Sequence, residues 1–282
     1  MSFRSRRLIH KMKIEQYKAN ISHLFLMPNQ NRDWLTNKSA ESVDVQEIDN
    51  GRIVTFNVVD DPGSQLVYFH GGAFTVPLND DQLAFAINIA KKTNSQLKII
   101  DFPLLLAHKA SEMIDFCIKA FDECMLTDLP INMLGDSAGA YLMLQVASRR
   151  SVWIDKTIII SPWIDLTLTN LAVQKRDDAD VFLELDVLQT IGQQFIDGLD
   201  KGDTVDLFDP NNLTGLNVIL FYGANEMLVP DNERFVATLR QAAKTSVTVV
   251  EFSEAFHEYI LWHALRETKQ TNKQVTKFIA NK

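Results

Sequence analysis

From residue 64 onward the chain repeats one pattern: a short continuous apolar run, then a longer stretch with helical spacing. The runs fall at Leu66–Phe69, Leu97–Ile100, Ile131–Leu134, Thr157–Ile160, Val218–Tyr222 and Val247–Phe252. Apolar strands without alternation are those buried on both faces, and their interleaving with helices predicts a mostly parallel sheet covered on each side. Ahead of them, Ser42 to Ile48 and Arg52 to Val59 also read as extended, with Asn50-Gly51 between them. That dipeptide suits a type I′ hairpin turn, which needs positive φ at both central positions. The predicted architecture is α/β, with an antiparallel hairpin opening the sheet.

Two stretches break the alternation. Residues 1–41 read as one or two amphipathic helices followed by a polar loop, and residues 169–205 as a helical insertion between strands. The expected organisation is therefore a sheet-and-helix core over 42–168 and 206–282, with both outlying segments capping it. Ligands of open parallel sheets bind beyond the carboxyl ends of the strands, where such caps would shape a pocket. Phe182, Leu183, Leu185 and Phe195 of the insertion are apolar enough to line it or to pack beneath it.

Composition narrows the options. The 282 residues carry 28 Lys+Arg against 36 Asp+Glu, a formal charge of −8, with 46% hydrophobic residues. That describes a globular protein and argues against a general nucleic-acid binder, which needs clustered positive charge. The one basic cluster is Arg4, Arg6, Arg7, Lys11 and Lys13. It lacks the apolar run of a secretory signal, and no segment reaches the ~20 apolar residues of a spanning helix. A cytoplasmic location without stable membrane insertion is expected. Cys117 and Cys124 would sit about 10 Å apart along one helix, too far for a disulfide. Glycine is scarce: eleven residues, about 4% against a usual ~7%.

Several of these glycines gather around candidate chemistry. Ile131-Asn132-Met133-Leu134 runs into Gly135-Asp136-Ser137-Ala138-Gly139 and then a helical Tyr141–Ala147. A G-x-S-x-G between strand and helix projects the serine hydroxyl from a sharp turn, the glycines letting the backbones crowd together. The alternative is an ordinary tight turn with a helix-capping serine. Upstream, a strand leads into His70-Gly71-Gly72-Ala73-Phe74. The N–H groups of Gly71, Gly72 and Ala138 would form an oxyanion hole. His70 precedes the serine and so falls outside the nucleophile, acid, base order, which makes it a residue that braces the loop.

These motifs together resemble the hormone-sensitive-lipase-like family of α/β-hydrolase esterases. Ser161-Pro162-Trp163-Ile164-Asp165-Leu166-Thr167, and Asp209-Pro210 with Leu213-Thr214-Gly215-Leu216, resemble further family segments, so the similarity covers about residues 60 to 282. The sequence departs from the family pattern at Ala73, where a third glycine is usual. It departs again at Asp101-Phe102-Pro103-Leu104-Leu105-Leu106-Ala107-His108, where a charged Arg and Glu are replaced.

The resemblance implies a Ser-His-acid triad with Ser137 as nucleophile. The acid should follow the next-to-last strand, where Glu226 holds the usual aspartate position. Asp231 is the rival, although its place before a helix suits an N-cap. The base should follow the last strand, which selects His257 over His263, the latter expected inside the final helix. The implied activity is hydrolysis of short- to medium-chain acyl esters, without metal or organic cofactor, on a small-molecule substrate. An amidase or peptidase of the same fold and a non-catalytic small-molecule-binding protein are the alternatives. Homodimerisation through the last strand or helix is a further implication.

Overall fold

A computed structural model describes residues 3–28, 35 and 43–281. Eight strands among them form one sheet: β1 (Val43–Ile48), β2 (Gly51–Phe56), β3 (Ser64–Phe69), β4 (Ser95–Asp101), β5 (Ile131–Asp136), β6 (Ile154–Ile160), β7 (Asn217–Gly223) and β8 (Ser246–Phe252). Their spatial order is β1-β2-β4-β3-β5-β6-β7-β8. β2 pairs antiparallel with β1 and β4, and every later pairing is parallel. β3 to β8 coincide with the six apolar runs, and β1 and β2 overlap the two extended segments ahead of them. The central β3 and β5 are buried at every position, which is why their sequences show no polar alternation. The start of the first expected strand, at Ser42, lies outside the described residues.

The opening hairpin forms as expected, but its turn is shifted. Ile48 pairs with Gly51, so the turn residues are Asp49 and Asn50, and positive φ falls on Asp49 (47°). Gly51 is instead the first residue of β2, where a Cβ would come within 2.6 Å of the Phe116 ring. The glycine is set by packing, not by turn geometry.

Between the strands run α3 (Asp80–Lys92), α4 (Ala110–Cys124), α5 (Ser137–Arg150) and α8 (Val229–Gln241), and α9 (Arg266–Ala280) follows β8. α3 and α9 pack on each other over one face, and α4 and α5 over the other. α3 starts on a capping box: Asn79 Oδ1 accepts from the Gln82 N–H at 2.9 Å, and the Gln82 side chain accepts from the Asn79 N–H at 3.2 Å. Both cysteines are buried in α4, and burial pushes the Cys124 thiol up to about 12.

The outlying segments contain α1 (Phe3–Ile14) and α2 (Tyr17–Leu26), then α6 (Leu171–Gln174) and α7 (Leu185–Asp197) between β6 and β7. The polar stretch expected after the first helices, residues 29–34 and 36–42, lies outside the described residues. α1 is fastened to the other end of the chain: Ser5 Oγ donates to Glu267 Oε2 at 2.9 Å, and Arg6 donates twice to Glu254, at 2.7 and 2.6 Å. α2 joins the insertion through Lys18 and Asp177, 2.6 Å apart, and through Ser22 Oγ and Glu184 Oε2, 2.5 Å apart. Thr75 Oγ1, just past the His70–Phe74 turn, donates to the Phe25 carbonyl at 2.8 Å. Among the described residues no helix is long and apolar enough to cross a membrane.

Candidate active site

β5 passes directly into α5, and Ser137 stands at the junction with φ 48°. That conformation is costly for a residue with a side chain and persists only where the surroundings enforce it. Here they do. A Cβ at Gly139 would sit 2.3 Å from the carbonyl oxygens of both Phe69 and His70, so only glycine lets α5 approach the end of β3. The local strain and the close helix approach have one cause, the turn that exposes the Ser137 hydroxyl.

Two segments distant in sequence meet that hydroxyl. Ser137 Oγ lies 2.9 Å from His257 Nε2, on the loop after β8. On the other side of the imidazole, Nδ1 is 3.2 Å from Glu226 Oε2, on the loop after β7. All three residues are buried. Glu226 is further held by Ser161 Oγ, which donates to its Oε1 at 2.7 Å, and by the Gly223 N–H donating to the same oxygen. A hydroxyl, an imidazole and a carboxylate in hydrogen-bonded series can move a proton from oxygen to nitrogen while the carboxylate stabilises the resulting cation.

Sequence reasoning passed over what holds this carboxylate in place. Arg176, in the insertion, donates through Nε to the Glu226 carbonyl at 2.8 Å and through a terminal nitrogen to the Ala224 carbonyl. Asp180 is buried and accepts from the N–H groups of Phe182 (2.8 Å), Leu183 (3.0 Å) and Met227 (2.6 Å). Burial raises its pKa, against the N–H groups and the nearby His257. Both residues lie in a polar stretch with no motif, and the bonds that tie them to the Glu226 loop go to main-chain atoms about fifty residues away, so no spacing rule could have found that role.

The loop after β3 needs one correction. The Gly71 N–H does not face the pocket as a free donor. It donates to Asp136 Oδ2 at 2.9 Å. Asp136 also accepts from Gln82 Nε2 at 2.9 Å and from the Tyr68 hydroxyl at 2.6 Å, so its carboxylate gathers the base of the turn. Gly72 and Ala73 have no hydrogen-bond acceptor for their N–H groups among the described residues. His70 is buried, with Nδ1 2.7 Å from the Gly71 carbonyl and its ring stacked on Phe102 at 4.4 Å. The 101–108 stretch is secured without the family's Arg and Glu. Arg52 Nε donates to Asp101 Oδ2 at 2.7 Å, and the Leu105 N–H donates to the Phe74 carbonyl at 2.9 Å.

Three other expectations are relocated. Asp231 is not an N-cap: α8 begins at Val229, and Asp231 sits inside its first turn with Oδ1 accepting from Asn170 Nδ2 at 2.7 Å. Burial raises its pKa, and the Asn170 bond opposes the shift. His263 precedes α9 and pairs with Asp81 at 3.4 Å. Of the four apolar insertion residues, Phe182 lines the cavity beside Ser137. Phe195 instead packs under Phe74 and against Tyr141, with ring centroids 4.4 and 5.7 Å apart.

The cavity measures about 700 Å³ and brings Gly71, Gly72, Ser137 and His257 together with Tyr17, Ile21 and Phe25 of α2. Among the described residues no three His, Cys, Asp or Glu side chains gather as metal ligands.

Comparison with known proteins gives a consistent setting for this geometry. Residues 66–261 match the family described as alpha/beta hydrolase fold. An esterase of Acinetobacter venetianus is 30% identical over 191 residues, covering 64% of this chain and 62% of that protein. The match thus spans less than two thirds of the relative's length. An acetyl-hydrolase of Streptomyces hygroscopicus is 24% identical over 212 residues, covering 71% of this chain and 69% of that protein. Among solved structures, an esterase from the bacterial hormone-sensitive lipase family superposes with a TM-score of 0.77 at 16% identity, over 99% of this chain and 98% of its own. A hormone-sensitive-lipase homologue from a metagenome library gives 0.77 at 18% identity, over 99% and 100%. These likenesses are of fold.

Proposed function

The chain belongs to the alpha/beta hydrolase fold family, and from that premise we propose that it is a serine carboxylesterase acting on short- to medium-chain acyl esters. The observation that carries this reading is the series Ser137 Oγ, His257 and Glu226, joined at 2.9 and 3.2 Å at the floor of a cavity. In the proposed reaction His257 Nε2 takes the Ser137 proton as Oγ attacks the ester carbonyl, and Glu226 holds the imidazole in the tautomer that presents a free Nε2. The negative oxygen of the tetrahedral intermediate is met by the N–H groups of Gly72 and Ala138, with that of Ala73 the next free donor along the loop. Gly71 acts one step removed, fastening the loop to Asp136. The imidazolium then protonates the leaving alcohol, and water, activated by the same nitrogen, releases the acyl group.

The outlying segments act as the cap in this reading. α2 supplies Tyr17, Ile21 and Phe25 to the wall, and the insertion supplies Phe182. A bounded cavity of about 700 Å³ suits acyl chains of modest length better than bulk lipid. The names of the Acinetobacter and Streptomyces relatives agree with ester or acetyl hydrolysis.

The test is a comparison of Ser137→Ala with the unaltered protein on short p-nitrophenyl esters, together with matched ester and anilide substrates. Loss of ester hydrolysis in Ser137→Ala and a preference for the ester over the anilide are expected. Undiminished activity of the variant would remove the proposed nucleophile, and anilide preference would make the protein an amidase.

A further inference from the structure

Helical spacing gathers the cations of α1 and α9 onto one surface. On α1 they are Arg4, Arg7 and Lys11, three and then four positions apart. On α9 they are Arg266, Lys269, Lys273 and Lys277, three, four and four positions apart. Residues so spaced share one face of a helix, and all seven of these are exposed. The two rows meet. Arg4 shares one shallow depression with Arg266, Lys269 and Lys273, and another with Arg7 and Lys11. Beneath them the buried Ser5 and Glu267, bonded at 2.9 Å, fix the two helices to each other.

This surface is out of balance in a chain of net charge −8. Like charges three or four positions apart weaken a helix, and carboxylates at the same spacing would relieve them. Among the described residues only Lys11 has such a partner, Glu15 at 3.7 Å, with both side chains more than half exposed. The nearby acids serve other contacts: Glu254 is bonded to Arg6, outside the row, and Glu267 is turned inward to Ser5. The other six cations of the two rows have no carboxylate partner among the described residues. Repulsion left unrelieved over two helices is matched by an external partner of dense negative charge.

Ile14 selects among such partners. It is 69% exposed and lines the depression of Arg7 and Lys11. An apolar side chain beside a basic row suits the boundary between lipid headgroups and acyl chains. A single-stranded nucleic acid would instead call for aromatic rings on which its bases stack, and no Phe, Tyr or Trp lines either depression that Arg4 joins. The basic surface also borders the chamber that holds Ser137, because Ala264 lines both the chamber and the depression of Arg4 and Arg266.

We propose that the α1–α9 surface docks the protein on anionic phospholipid bilayers, the cations against the headgroups and Ile14 at the acyl boundary. The contact is peripheral, by helices that lie along the surface and do not enter it. Through Ala264 the docked protein holds its cavity next to the lipid surface. None of the seven cations takes part in the proposed hydrolysis, so docking stands apart from the esterase reading.

The deciding experiment is co-sedimentation of the unaltered protein with vesicles of phosphatidylcholine alone and with vesicles containing about one third phosphatidylglycerol, at about 0.1 and 0.5 M salt. Two charge-reversed variants are measured beside it: Lys269→Glu with Lys273→Glu on the basic surface, and Lys92→Glu with Lys201→Glu elsewhere, which change the net charge equally. Circular dichroism verifies that each is folded. The expected result is binding at least about tenfold tighter to the anionic vesicles at the lower salt, and no preference at the higher. The Lys269/Lys273 variant should lose at least about tenfold, and the Lys92/Lys201 variant less than about twofold. Equal binding to both vesicles at low salt, full binding by the folded Lys269/Lys273 variant, or an equal loss in both variants would each overturn the proposal. Tighter binding to a DNA duplex than to the anionic vesicles would also overturn it, and would assign the surface to nucleic acid.

Discussion

Arg176 holds Glu226 by its main chain: the guanidinium Nε donates to the Glu226 carbonyl at 2.8 Å, while the carboxylate of the same residue faces His257. A side chain from the insertion thus fixes where the carboxylate begins without touching it. Arg176→Ala is expected to lower kcat about tenfold while KM moves less than about twofold, because the loss is one of alignment and not of substrate contact. Steady-state kinetics on p-nitrophenyl butyrate checks this, and a change confined to KM would contradict it.

The carboxylate itself permits a sharper comparison. Glu226→Gln keeps the shape but lets the amide donate to Nδ1, favouring the tautomer in which Nε2 already carries a proton. A fall in kcat of about 10³–10⁴-fold is expected, as for the amide variant of other triads. Ser161→Ala removes the 2.7 Å bond to Oε1 and leaves the charge in place, so a fall of about tenfold is expected. Both variants should retain the far-UV circular dichroism of the parent.

Gly139→Ala tests the turn. The added methyl would lie 2.3 Å from two main-chain oxygens, neither of which can rotate away. Either α5 withdraws from β3 or the protein loses about 2–3 kcal/mol, a drop in Tm of roughly 5–10 °C. Scanning calorimetry and ester hydrolysis should decline together, since the same displacement moves Ser137.

Stability should also depend on pH through Glu258. Buried beside the Asp136 carboxylate, its carboxyl ionises well above the ordinary 4.5 in the folded protein, so the folded state keeps a proton that the unfolded chain has already released. Stability therefore falls as pH rises from about 4.5 toward the folded-state value. Glu258→Gln carries no such proton. Its Tm should match that of the unaltered protein near pH 4 and exceed it by a few degrees near pH 8, as measured by calorimetry across that range.

The fold was legible because burial imprints itself on local sequence. β3 and β5 are enclosed on both sides, and their runs carry little else than apolar residues. Ser137, Glu226 and His257 were legible because each ends or follows a strand in a fixed order. Contacts decided by distant atoms were not. Gly71 reads as a free donor until Asp136, 65 residues on, is seen to claim its N–H. Gly51 reads as a turn residue until Phe116 is seen against it. Glu258 left one usable trace: an acid within Ala255-Phe256-His257-Glu258-Tyr259-Ile260, an otherwise mostly apolar stretch beside the candidate base.

The fastening of Ser5 to Glu267, across 262 residues of chain, bears on the order of synthesis. α1 is synthesised about 250 residues ahead of the acids it grips, Glu254 and Glu267. The nascent chain can assemble β1 to β7 while α1 waits without its anchor. α2 meets its own partners sooner, at Thr75, Asp177 and Glu184, so the wall that carries Tyr17, Ile21 and Phe25 can stand beside the nucleophile turn before His257 is made and before α1 is fastened.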